Sequence, residues 1–116
     1  MKIEGTVIKG QQLGRRLGFP TANIDAEGLE VENGVYASTV ELDGRRYVAM
    51  SNVGVRPSVD GKRRLLETYL FDFDGDLYGR CLTVELGCKI RDERKFSSVD
   101  ELKDRLKLDA EHIRSL

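Results

Sequence analysis

Leu82-Thr83-Val84-Glu85-Leu86-Gly87-Cys88-Lys89-Ile90-Arg91 is the stretch that decides the class of fold. Leu82, Val84, Leu86, Cys88 and Ile90 recur at every second position with mainly polar groups between them, the period of a strand that buries one face and wets the other. Shorter runs of the same period lie at Ile3 to Ile8, Val35 to Leu42, Tyr47 to Val53 and Leu65 to Phe73. Asp43-Gly44 separates two of them and suits the positive φ angles of a two-residue hairpin turn. Asp74-Gly75 offers a similar turn after Phe73. Beyond Phe96 the period becomes helical: Ser98-Val99-Asp100-Glu101 has the spacing of a capping box, and Val99, Leu102, Leu106, Ala110 and Ile113 form one apolar face. Five or so short strands and one terminal helix, without strand–helix alternation, predict a mainly β fold. The expected architecture is a small closed or nearly closed antiparallel barrel with the helix packed against it.

The 116 residues fit a single domain, spanning 1–116, large enough to bury roughly two thirds of the surface of its unfolded chain. Charged residues make up 34%, but 19 Lys+Arg against 20 Asp+Glu leave a net charge of −1, which argues against a disordered tail and against nucleic acid as a partner. A small RNA-binding barrel would need a basic face with exposed stacking aromatics, for which four Tyr, four Phe and no Trp are a poor supply. No apolar run approaches the roughly 20 residues that span a bilayer, and Met1-Lys2-Ile3-Glu4-Gly5 is too polar for a signal peptide. The expected setting is therefore the cytoplasm, away from membranes, and the expected state a monomer. Cys81 and Cys88, the only two cysteines, lack metal-ligand spacing and are expected as reduced, small buried hydrophobes. His112 has no Cys or His nearby to complete a site, which leaves it a surface or helix-capping role.

Four segments could carry chemistry. In Gly10-Gln11-Gln12-Leu13-Gly14-Arg15-Arg16-Leu17-Gly18-Phe19-Pro20-Thr21-Ala22-Asn23, the glycines can bring backbone N–H groups to an anion and Arg15 or Arg16 can add charge. Thr21 and Asn23 project to the same side of an extended chain, and two neutral oxygens suit Mg²⁺, which completes its shell with water and phosphate. A glycine-rich surface loop is the plainer alternative. Glu67 shares the parity of Leu65, Tyr69, Phe71 and Phe73. Burial there would raise a carboxyl pKa towards that of a general base for an alcohol, the alternative being a barrel-end carboxylate paired with an arginine. Asp72, Asp74 and Asp76 alternate like acids of a calcium loop, but Leu77 and Thr83 occupy the positions that need Gly and Glu, so a hairpin with a mobile tip is the better reading. Arg91-Asp92-Glu93-Arg94-Lys95-Phe96 could hold a flat polar heterocycle between guanidinium and ring, or be solvated charge leading into the helix. The basic stretch Arg56 to Arg64 reads as a solvated loop that could pair with phosphate.

Taken in order, Gly18-Phe19-Pro20-Thr21-Ala22-Asn23, Gly34-Val35-Tyr36-Ala37, Asn52-Val53-Gly54-Val55-Arg56-Pro57, Glu67-Thr68, Asp72-Phe73-Asp74-Gly75-Asp76-Leu77-Tyr78-Gly79 and Arg91-Asp92-Glu93-Arg94-Lys95-Phe96 closely resemble riboflavin kinase, in bacteria the C-terminal part of a bifunctional riboflavin kinase/FAD synthetase. The resemblance implies a six-stranded antiparallel Greek-key barrel with a C-terminal helix. It also implies transfer of the ATP γ-phosphoryl to the 5′-hydroxyl of riboflavin, giving FMN and ADP. By the same resemblance Thr21 and Asn23 hold Mg²⁺ and the nucleotide phosphates, and Glu67 is the base. Gly10 and Arg15 match phosphate-loop contacts, while Leu70, Asp72 and Tyr78 match positions near the nucleotide. Arg91, Arg94 and Phe96 match the part that holds the flavin, under a flap from Asp74 to Gly79. Ser58 stands where a threonine usually follows the Arg-Pro pair, a change that keeps the hydroxyl. The N-terminal FMN adenylyltransferase domain that the resemblance would set before this part is absent from these 116 residues, so the chain is expected, as a free-standing kinase or an excised domain, to make FMN and not FAD.

Overall fold

The computed structural model describes residues 1–8, 21–58, 61–73 and 75–116. Gly10 and Arg15, and the rest of the glycine-punctuated segment up to Pro20, lie outside the described residues, as does Asp74. Among those described run strands β1 (Lys2–Thr6), β2 (Thr21–Asp25), β3 (Gly34–Leu42), β4 (Arg45–Ser58), β5 (Gly61–Leu70) and β6 (Cys81–Arg91), then helix α1 (Val99–Arg114). Every pairing is antiparallel, and the order across the sheet is β1-β6-β3-β4-β5-β2. The β3-β4-β5 meander with β6 returned beside β3 is a Greek key. The two edges of the sheet meet beyond β1, where the Ile8 N–H donates to the Asn23 carbonyl at 2.7 Å. The barrel is thereby nearly closed, which shortens the row of unpaired backbone groups an open sheet would expose.

The β3–β4 hairpin is the predicted one: Asp43 (φ 52°) and Gly44 (φ 76°) are both left-handed, and Leu42 faces Arg45. β2 is the strand the periodicity did not mark as such. Its five residues carry only Ala22 and Ile24 towards the barrel core, too short an alternation to stand out. β4 extends beyond the expected Tyr47 to Val53 at both ends, and β5 begins earlier and stops at Leu70, before Asp72 turns the chain with φ 58°.

Two apolar clusters result. The barrel interior gathers Ala22, Ile24, Val40, Leu66, Leu70 and Val84 among others. On the outer face, Leu106, Ala110 and Ile113 of α1 cover Val35, Met50 and Phe71. Ser98 caps α1 as its spacing predicts, accepting from the Glu101 N–H at 3.1 Å, whereas the Glu101 carboxylate accepts from the Ser97 hydroxyl. Val99, expected on the apolar face, is exposed; Asp109, which the pattern did not include, is buried there.

Two expectations about β6 and the cysteines are corrected. Leu82, Val84 and Leu86 do point into the barrel. Past Leu86 the β3–β6 register shifts twice, and each extra residue of a bulge turns the succeeding side chains to the opposite face. Ile90 therefore packs with the helix-side cluster. Cys88 is exposed, and so is Cys81; both are free thiols. The stretch from Arg56 to Arg64 is also no solvated loop. It includes the end of β4 and the start of β5, and Arg64 donates to the carbonyls of Ala26, Leu29 and Val31 and to Asn33 Oδ1, tying down the β2–β3 connection.

Candidate functional site

Strand register builds the site. β2 against β5 sets Asn23 opposite Glu67 and Thr21 opposite Tyr69. β4 against β5 sets Asn52 opposite the same Glu67 from the other side. Directly opposed residues share a face, and Ala22, Ile24, Leu66 and Leu70 take the inner one. Thr21, Asn23, Glu67, Tyr69 and Asn52 consequently lie together on the outer face, the face that further along carries α1. Asn23 is 4% exposed. The Asn52 Oδ1 is buried with no hydrogen-bond partner among the described residues.

Glu67 is held by an arginine from the stretch expected to be a solvated loop. Arg56 Nε donates to Glu67 Oε1 at 2.9 Å, and a second guanidinium nitrogen reaches the same oxygen at 2.7 Å. A third lies 2.9 Å from Glu93 Oε1. Partial burial alone would lower the Arg56 pKa, but the two carboxylates outweigh it and raise it. The Glu93 carboxylate lies against the backbone of β4 at Gly54, where a Cβ would collide with it. Burial, and then the Glu67 charge, push the Tyr69 phenol well above its ordinary range, so it stays a neutral neighbour of the carboxylate. Of the two readings of Glu67, the geometry contains the arginine pairing; the side chain is 20% exposed, leaving it open to solvent on one side. Tyr69 and Phe71 do share its face, but Phe73 passes to the barrel cluster because the strand has already ended.

A family profile described as flavokinase, riboflavin kinase, matches residues 1–116. The chain belongs to the riboflavin kinase family. An RNA-binding riboflavin kinase of Bacillus subtilis is 44% identical over 108 residues, covering 92% of this chain and 47% of that protein. A bifunctional riboflavin kinase/FMN adenylyltransferase of Pseudomonas fluorescens is 44% identical over 118 residues, covering 99% of this chain and 38% of that protein. The riboflavin kinase domain thus spans less than half the length of these relatives. Among solved structures, a Streptococcus pneumoniae protein described as a macrolide-efflux protein aligns with TM-score 0.87 and 38% identity over 99% of this chain and 38% of that one. Riboflavin kinase from Trypanosoma brucei aligns with TM-score 0.65 and 24% identity over 98% of this chain and 77% of that one, a likeness of fold. Among the described residues of this chain no helix is long and apolar enough to cross a membrane.

The other described residues that the riboflavin kinase motifs single out sit in several different settings. Leu70 is fully buried in the barrel. Asp72 is exposed and faces Arg114 of α1 at 3.5 Å. Tyr78 is exposed in a loop held by its own N–H to Asp76 Oδ1 and by the Gly79 N–H to the Val7 carbonyl. Arg91 is spent on α1, bonding both oxygens of Asp109 at 2.7–3.2 Å. Arg94 lies 5.7 Å from the Phe96 ring centroid, a cation and a ring stacked on each other. The register gathers Thr21, Asn23 and Glu67, and the same row runs on through Asn52 and Val35 to Arg91, whose charge acts on Tyr69.

Proposed function

We propose that this riboflavin kinase domain transfers the ATP γ-phosphoryl to the 5′-hydroxyl of riboflavin with Glu67 as the base and with Thr21 and Asn23 as ligands of Mg²⁺. The observation that carries the reading is the direct opposition of Asn23 and Glu67 across β2 and β5, with Thr21 two residues along the same face. The donor chemistry fits: a hydroxyl and an amide oxygen are hard neutral ligands of the kind Mg²⁺ accepts beside water and phosphate. Among the described residues no cluster of three His, Cys, Asp or Glu offers a rival metal site. Bound there, the ion would neutralise charge on the phosphates.

The chain's own residues then have defined tasks. Phosphoryl transfer asks the protein chiefly for positioning and electrostatic stabilisation. Glu67 takes the proton of the 5′-hydroxyl as its oxygen bonds to the γ-phosphorus, and the bond to the bridging oxygen of ADP breaks. Thr21 and Asn23 set the phosphate chain on the β2 side of Glu67. Gly10 and Arg15 complete the phosphate contacts, Leu70, Asp72 and Tyr78 border the nucleotide, and Arg91, Arg94 and Phe96 border the flavin. The domain works in the cytoplasm as a monomer, a state sedimentation would test.

The deciding experiment is incubation of the purified chain with riboflavin and Mg-ATP, followed by chromatography for FMN. In the same assay Glu67→Ala is expected to lose about 10²–10⁴-fold in turnover with the fold intact. Turnover near that of the wild type would remove Glu67 from the chemistry.

A further inference from the structure

Glu67 alone among the gathered groups is held by an ion pair, and the way it is held is specific. Arg56 Nε and one terminal nitrogen both address Oε1, and among the described residues no hydrogen bond reaches Oε2. The remaining terminal nitrogen is occupied by Glu93 Oε1 at 2.9 Å and by the Val55 carbonyl at 3.0 Å. The guanidinium is therefore fixed on three sides, by strand β4 itself, by the segment after β6 and by β5.

We infer that Arg56 is a positioning residue for Glu67: it holds one carboxylate oxygen so that the other faces the substrate alcohol, and Glu93 keeps the arginine in place. This rests on Glu67 being the base. A free glutamate side chain turns about three bonds, and a base that must meet one hydroxyl loses rate with each orientation that points elsewhere. Two N–H groups converging on one oxygen hold that oxygen in place from two directions, where the ammonium of a lysine acts as a point charge on a flexible stem. Charge explains the second carboxylate. An arginine alone would cancel the charge of Glu67, whereas Glu93, Arg56 and Glu67 together keep one net negative charge. Gly54 leaves the room Glu93 needs.

The test is steady-state and single-turnover kinetics on the full chain for Arg56→Met, Arg56→Lys, Glu67→Gln and the double variant Arg56→Met/Glu67→Gln. Expected for Arg56→Met is a fall in kcat of about 10²-fold, the order found for misplaced catalytic groups, with KM for riboflavin and ATP little changed. Arg56→Lys should recover part of the loss. In the Glu67→Gln background, Arg56→Met should cost nothing further, because Arg56 acts through a group already disabled. An equal loss in both backgrounds would make Arg56 merely structural, and full turnover in Arg56→Met beside a slow Glu67→Gln would remove its role altogether. Full turnover in Glu67→Gln would instead overturn the base reading, and this inference with it. Should Arg56→Met not fold, Arg56→Gln, which keeps hydrogen-bonding capacity and much of the volume, takes its place under the same criteria.

Discussion

Glu67 and Asp109 are both carboxylates gripped by arginine, and they differ in what the grip leaves over. Asp109 has both oxygens bonded, by Arg91 and by Arg105, and its side chain is 2% exposed; it has neither access nor a spare oxygen for chemistry. Glu67 commits one oxygen and keeps an open side. Asn23 stands beside it as a buried amide whose removal should be felt through the metal. Asn23→Ala is expected to raise the Mg²⁺ concentration needed for half-maximal FMN formation about tenfold or more, the scale of changes at metal sites, with the KM for riboflavin unaltered. Titrating activity against Mg²⁺ measures this, and an unchanged curve would leave Asn23 a packing residue. At this scale the sequence is informative where residues act in series: Thr21 and Asn23 share a face because they are two apart in an extended chain. It offers an arginine partner for Glu67 but does not single out Arg56, which lies eleven positions away on another strand and is reached only once the register is known.

Register is the property of the elements, and a run of alternation does not contain it. The hairpin at Asp43-Gly44 fixes β3 against β4 because two left-handed residues leave one closure. No comparable local signal sets β2 against β5, so the meeting of Asn23 with Glu67 depends on the whole barrel closing. The bulges of β6 are hidden for a related reason: they lie past Leu86, where the strand pairs with β3 alone, and the sequence alternates undisturbed through them. The interior of the barrel carries a further device that periodicity alone would not suggest. The hydroxyls of Ser38, Ser51 and Thr68 form a buried chain across β3, β4 and β5, with Ser51 at its centre 2.8 and 2.9 Å from its neighbours. Ser51→Ala leaves Ser38 and Thr68 without their shared partner and is expected to cost about 1–3 kcal/mol. Urea unfolding reads this directly, and a variant as stable as the parent would show that the end hydroxyls find other partners.

For the molecule as a whole, the mainly β barrel with one terminal helix was legible because two signals with different periods occupy separate parts of the chain. What could not be read was that the helix covers a second cluster, separate from the barrel's own. No residue of α1 belongs to the interior cluster; the helix covers Val35, Met50 and Phe71 on the outside. Its polar anchor is Asp109, bonded to Arg91 at the end of β6, and that arrangement separates the stability of the cover from that of the barrel. Asp109→Ala strips Arg91 and Arg105 of their shared carboxylate. The expected cost is about 3 kcal/mol, the lower end for breaking a buried pair, because both arginines keep a path to water. The loss should fall on the helix first: limited proteolysis is expected to cut within residues 99–114 while the barrel resists. A variant that lost helix and barrel in one transition would instead show that the two clusters fold as a single unit, and that closing the outer face is a condition for closing the inner one.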